Sequence, residues 1–252
     1  MNNDAFRFVR DNDETTARVF CFHYAGGSAL FYADMHRYLS DDVGVYPYQL
    51  PGRLDRAGEE FADSIWSVSE NAADIISGYS DKPIILTGHS MGGIIGFDTA
   101  YILKEKYSID VAKLYITASL PSLSAVVNRT DAKTDDLDDD EFCKALKDFG
   151  AIDERALKIR EFYQIFLPVV RADFRMIENY SDDESRKISA DIEVYGGDND
   201  KIIDSGSLSL WKNRTSGKTD IFIRQGDHFF IKNCKAEVYG SIDRFIHKGI
   251  NT

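Results

Sequence analysis

Ser90 stands in the segment GHSMGG, residues 88–93, between an apolar run over 83–87 and a helix-like stretch that begins at Met91. Strand, sharp turn and helix in that order make a nucleophile elbow, where a strained turn leaves a serine hydroxyl exposed. Small residues are required because strand and helix approach closely there, and Gly88, Gly92 and Gly93 supply them. A GxSxG match alone is equally an ordinary glycine-rich turn. Its meaning depends on whether a base and an orienting acid follow.

A serine hydroxyl is a poor nucleophile at neutral pH. It needs a neutral imidazole to take its proton, and that imidazole needs a carboxylate to fix its tautomer. GGDND, residues 196–200, follows directly on a strand-like run that ends at Tyr195. Of its two carboxylates Asp200 is the candidate acid, the fourth residue of a GxxD turn counted from Gly197, whereas Asp198 reads as a turn aspartate. Among five histidines, His228 in GDHFF is the candidate base, in the loop after a run ending at Arg224. His36 and His247 fall on polar faces of predicted helices, and His89 is expected to point away from the serine. His23 ends the first strand, near the expected oxyanion site, but precedes Ser90 in the chain. The expected oxyanion donors are the backbone N–H of Met91 and a second from Tyr24 or Ala25, in a loop that Gly26 and Gly27 let turn tightly. That loop, AGGSA, lacks the GxGxxG and GK[ST] patterns of nucleotide sites.

The elements that must position these groups alternate along the chain. Strands are predicted over 18–24, 43–50, 83–87 and 113–118, and helices over 28–39, capped by Ser28, over 64–76 and over 91–103. Strand, helix, strand in this order implies an α/β fold with a mostly parallel central sheet flanked by crossover helices. From 121 to 187 the strands stop and helix-period segments take over, at 140–149 and at 153–180 with an interruption at Pro168. Strands then resume over 191–195 and 219–224, with helices near 207–212 and over 236–247. The simplest account is one domain over 1–252 with a helical lid inserted at 121–187, in which Phe162, Ile165, Phe166, Val169 and Phe174 form an apolar stripe suited to an acyl group.

Composition narrows the function classes. Hydrophobic residues at 43% and charged residues at 29% suit a globular protein. No apolar run is long enough for a membrane span, and the polar start MNNDAFRFVRDNDE is unlike a signal peptide, so a cytoplasmic location is expected. A net charge of −12 argues against nonspecific nucleic-acid binding. Cys21, Cys143 and Cys234 make no CxxC pair, so neither a disulfide framework nor a zinc site is indicated. The acidic run over 135–141 lacks the glycine and glutamate of a calcium loop and suits a helix start. No metal or protein cofactor is expected.

Six stretches together resemble one family, the type II thioesterases of nonribosomal peptide and polyketide assembly lines, which are α/β-hydrolases. They are CFHYAGGSA (21–29), LPGRLDR (50–56), LTGHSMGG (86–93), LPVVRADF (167–174), YGGDNDK (195–201) and GDHFFI (226–231). The resemblance implies removal of acyl groups from the phosphopantetheine thiol of acyl or peptidyl carrier proteins, with Ser90, Asp200 and His228 as nucleophile, acid and base; a monomer is expected. The family usually carries proline where this chain has His23, which bears on the shape of the second oxyanion donor. Arg53, Arg56 and Arg171 are candidates to meet an acidic carrier or its phosphate. The alternatives left open are a carboxylesterase or lipase acting on oxygen esters with the same triad, and a noncatalytic carrier-binding module.

Overall fold

A computed structural model describes residues 5–124, 133–148, 159 and 162–249, without the side chains of Asp148 and Phe162. The parts of the helical insertion predicted over 125–132, 149–158 and 160–161 lie outside the described residues.

Six strands form one sheet: β1 Ala17–Phe22, β2 Val43–Pro47, β3 Ile84–His89, β4 Lys113–Thr117, β5 Asp191–Gly197 and β6 Thr219–Arg224. Their order is β2-β1-β3-β4-β5-β6 and every neighbouring pair is parallel. Parallel strands covered on both faces need apolar residues on both. In β1, Phe20 and Phe22 join the core beneath helices α1 (Ile65–Ile76) and α2 (Met91–Tyr107), while Val19 and Cys21 join the core beneath helix α5 (Ile231–Gly249). The strand order reverses between β1 and β3. At such a switch point the chain leaves the two strands in opposite directions and opens a crevice beyond their carboxyl ends. The loop after β1 and the turn after β3 both stand there.

Helix α1 starts where the sequence predicts, because the Ser64 hydroxyl accepts the Ser67 N–H at 3.0 Å, a cap worth about 1 kcal/mol. The predicted helix over 28–39 is instead two 3-10 turns, Ala29–Tyr32 and Met35–Tyr38, and Ser28 caps neither with its side chain. Tyr32 and Met35 are buried in the core beneath α5, so tertiary packing takes the apolar residues without a continuous helix. The predicted helix near 207–212 is likewise a run of 3-10 geometry, Ser205–Arg214.

Between β4 and β5 the described elements are helical. Helix α3, Asp139–Asp148, opens on a reciprocal pair: Glu141 N–H to Asp138 Oδ1 at 2.9 Å and Asp138 N–H to Glu141 Oε2 at 3.1 Å. This capping box absorbs part of the acidic run. A π-helical turn, Phe162–Phe166, leads into helix α4, Leu167–Glu178. Pro168 lies in the first turn of α4, directly after the π-helical turn, so the predicted interruption is a change of helical geometry rather than an end of the helical path.

Candidate active site

The turn from β3 into α2 carries Ser90 at φ 54°, ψ −120°, a left-handed conformation that a non-glycine residue enters only under strain. Its surroundings explain the glycines. A Cβ on Gly88 would lie 2.0 Å from Gly92 O, and one on Gly92 would lie 2.0 Å from Phe22 O, so α2 can dock on β3 and β1 only if both are bare. The elbow is also tied to β4, through Ser90 N–H to Thr117 O at 2.9 Å.

Three side chains from the carboxyl ends of separate strands meet over this turn. His228 Nε2 lies 3.0 Å from Ser90 Oγ, and His228 Nδ1 lies 2.8 Å from Asp200 Oδ2. A carboxylate accepts only, so Nδ1 carries the proton and Nε2 is left to accept the serine hydroxyl. Asp200 is oriented in turn by the N–H groups of Ile202 and Ile203, which donate to Oδ1 at 2.8 and 3.0 Å. Ser90 and His228 are almost buried, at 8% and 7% exposure. Asp198 is not in this row. Its Oδ1 accepts the Gly226 N–H at 2.9 Å and ties the two loops together at the surface.

Both remaining histidines near the site are fully buried. His89 turns away from the serine hydroxyl, but its ring stands 5.3 Å from that of His228, enclosed by Tyr24, Phe31 and Phe229. The Thr117 hydroxyl donates to Gly88 O, so His89 Nδ1–H donates to Thr117 Oγ1 at 2.8 Å. Burial drives the His89 pKa well below the ordinary histidine value. A neutral ring beside His228 does not compete with it for charge. His23 donates from Nδ1 to Tyr24 O at 2.8 Å; burial first, and then Arg53, push its pKa down to about 4. The Nε2 atoms of both find no hydrogen-bond partner among the described residues. His36 and His247 are exposed.

Met91 is the first residue of α2, so its N–H has no acceptor within the helix and lies directly beside Ser90. Tyr24 and Ala25 stand in a turn after β1, closed by Gly27 N–H to Tyr24 O at 2.9 Å, with Gly26 at φ +78°. Helix α4 presses on that turn: a Cβ on Gly26 would lie 2.8 Å from Val170 Cγ2 and 3.3 Å from Phe166 Cζ. Of the predicted stripe, then, Phe166 reaches the turn and Val169 is buried. Phe174 packs edge-on against Phe142 of α3, and Ile165 is 69% exposed. The side chain of Phe162 lies outside the described residues.

The predicted arginines are already partnered. Arg53 is buried and grips Asp173 of α4 with two bonds, at 2.6 and 2.7 Å. Arg56 pairs with Glu59 and donates to Gln49 O. Arg171 donates to Thr134 O and Leu137 O, pairs with Asp139 and covers the ring of Phe142. Asp173 and Val170 are the site residues that sequence reasoning missed; the RAD triplet was visible, but nothing in it names Arg53 as the partner.

Residues 17–248 match the family model described as "Thioesterase domain". The gramicidin S biosynthesis protein GrsT of Aneurinibacillus migulanus is 29% identical over 92% of this chain and 90% of its own length. The medium-chain S-acyl fatty acid synthase thioesterase of Rattus norvegicus is 28% identical over 91% of this chain and 88% of its own. Among solved structures, the type II thioesterase BorB from the borrelidin biosynthetic cluster superposes with a TM-score of 0.81 at 25% identity, covering 96% of each chain. With a family model spanning nearly the whole sequence and an α/β-hydrolase sheet beneath the elbow, the chain belongs to the thioesterase family and is a thioester hydrolase.

Proposed function

We propose that Ser90, His228 and Asp200 are nucleophile, base and orienting acid of a type II thioesterase that frees acyl groups from the phosphopantetheine thiol of acyl or peptidyl carrier proteins in nonribosomal peptide or polyketide synthesis. The hydrogen-bonded row from Ser90 through His228 to Asp200 carries the chemistry in this reading. The likeness to GrsT and BorB supports the substrate class. The reading takes the chain as one cytoplasmic, monomeric domain, with 121–187 as its lid; among the described residues no helix is long and apolar enough to cross a membrane.

The steps follow from the parts. His228 Nε2 takes the Ser90 proton as Oγ attacks the thioester carbonyl, and the N–H of Met91 and of Ala25 or Tyr24 receive the oxyanion. The C–S bond breaks on collapse, and His228 returns the proton to the departing sulfur. Water then gives its proton to His228 and attacks the acyl-serine, and Ser90 leaves with the proton restored. Each step uses His228 first as base and then as acid, which needs only the tautomer that Asp200 holds.

Parallel turnover assays on an acyl-carrier thioester, the matching acyl-coenzyme A and a simple oxygen ester test the substrate class. The carrier thioester is expected to be hydrolysed fastest. Faster turnover of the simple ester would move the protein to the carboxylesterases.

A further inference from the structure

The turn after β1 is held by more than its own backbone. With Gly26 at φ +78° and Gly27 N–H bonded to Tyr24 O, residues 24–27 form a type II turn with Ala25 and Gly26 at its centre. The Tyr24 carbonyl accepts a second bond, from His23 Nδ1 at 2.8 Å. In a planar trans peptide the N–H points opposite to the C=O of the same unit. Whatever fixes the Tyr24 carbonyl therefore aims the Ala25 N–H.

The next peptide is fixed from across the site. Gly26 N–H donates to Asp173 Oδ2 at 2.7 Å, and the same oxygen accepts Arg53 Nη1 at 2.7 Å. Arg53 closes the ring by donating to Gly27 O at 3.1 Å. Two side chains, one from the end of β1 and one from α4, thus hold consecutive peptides of a single turn. His23 bears a cost in that place, since its buried Nε2 has no partner among the described residues. A buried polar atom left unsatisfied is destabilising, so what the imidazole contributes is its one bond to the Tyr24 carbonyl. That bond also polarises the peptide and strengthens its N–H as a donor.

We infer that His23 and Asp173 are positioning residues that aim the Ala25 N–H at the developing oxyanion. The inference rests on the reading of Ser90 as nucleophile. It takes Ala25 as the second donor, because its N–H belongs to the peptide whose carbonyl His23 holds, and it gives the residue that replaces the family's usual proline a task of its own.

The test pairs turnover of an acyl-carrier thioester with inhibition by an alkyl trifluoromethyl ketone, which adds a serine reversibly and places an oxyanion in the same cradle. Removing a whole oxyanion donor costs about 10²- to 10³-fold in kcat, so misaiming one should cost about tenfold. His23→Leu is expected to lower kcat by that factor and raise the ketone Ki equally, with KM within about twofold. His23→Asn sets an amide N–H near the place of Nδ1 and should restore both. Because breaking the buried pair with one substitution endangers the fold, Asp173 is tested as the apolar pair Arg53→Met with Asp173→Leu, which similar pairs elsewhere tolerate; it should show the same split. Unchanged kcat and Ki in His23→Leu and in the apolar pair would overturn the inference while leaving Ser90 as nucleophile. So would a loss of kcat in which Ki for the ketone stays at the wild-type value. If the ketone fails against the wild-type protein and Ser90→Ala turns over normally, the reading of Ser90 fails, and the inference with it.

Discussion

Asp200 is placed by two backbone N–H groups on one oxygen and by His228 on the other, so its position and its angle are both fixed. Asp200→Asn keeps the shape but favours the wrong imidazole tautomer, and kcat should fall about 10⁴-fold with KM and melting temperature little changed. Asp198→Asn, two residues away in the same turn, should leave steady-state turnover near the wild-type value. The histidines make a second residue-level prediction, about pH. His23 is held neutral in the folded protein, with its pKa pushed down to about 4, while in the unfolded chain a histidine titrates near about 6.5. Between these values the unfolded state binds more protons, so stability is full above the window and falls as pH falls through it. For His23 alone the loss between pH 7 and pH 5 is about 2 kcal/mol. Buried Asp98 of α2 slopes the other way, since burial pushes its pKa up to about 6. Urea melts of wild type and His23→Asn at both pH values isolate the histidine's share: the variant should lose less stability on acidification, and equal losses would remove His23 from the account.

At the scale of elements, the elbow is a contact between a strand and a helix that two bare backbones make possible. Gly92→Ala would drive a methyl group into the Phe22 carbonyl, at a cost of about 3 kcal/mol or more, whereas Gly58→Ala meets nothing within 4 Å and should fall within about 0.5 kcal/mol of wild type. Ser90 itself stores strain at φ 54°. Ser90→Gly should therefore be more stable than Ser90→Ala by about 1 kcal/mol, read from denaturant midpoints. The elbow was legible because its glycines flank a serine between an apolar run and a helix pattern. The strands were legible because runs such as ARVFCF are buried on both faces. The helix predicted over 28–39 was not, since its apolar residues fit 3.6-residue spacing equally well when two short turns deliver Tyr32 and Met35 to the core. The interruption at Pro168 was legible because a residue without an N–H marks where the π-helical turn gives way to α4.

Over the whole molecule, the helical segment between β4 and β5 is bound to the rest of the fold by buried ion pairs and a buried hydrogen bond. Asp173 of α4 meets Arg53, and beyond the end of α4 Tyr180 and Arg186 close on Asp98 of α2 at 3.0 and 2.8 Å. These pairings join residues about a hundred positions apart, which is why the sequence left Arg53 free to be read as a carrier contact. Its burial assigns it to the protein's own architecture. The candidate triad could be ordered from sequence because each member follows a strand end, whereas the clamp on the turn after β1 arises only when α4 packs against that turn. The roles proposed for the other groups all depend on Ser90 receiving the acyl group from a carrier thiol. Rapid acid quench of wild-type protein with stoichiometric acyl-carrier thioester, followed by intact and peptide mass spectrometry, reads that transfer directly. The expected result is the acyl mass on the peptide containing Ser90, its decay to free acid, and the carrier returned to the free thiol, with Ser90→Ala leaving the carrier loaded. Acyl release from the carrier at an undiminished rate by Ser90→Ala would contradict the account.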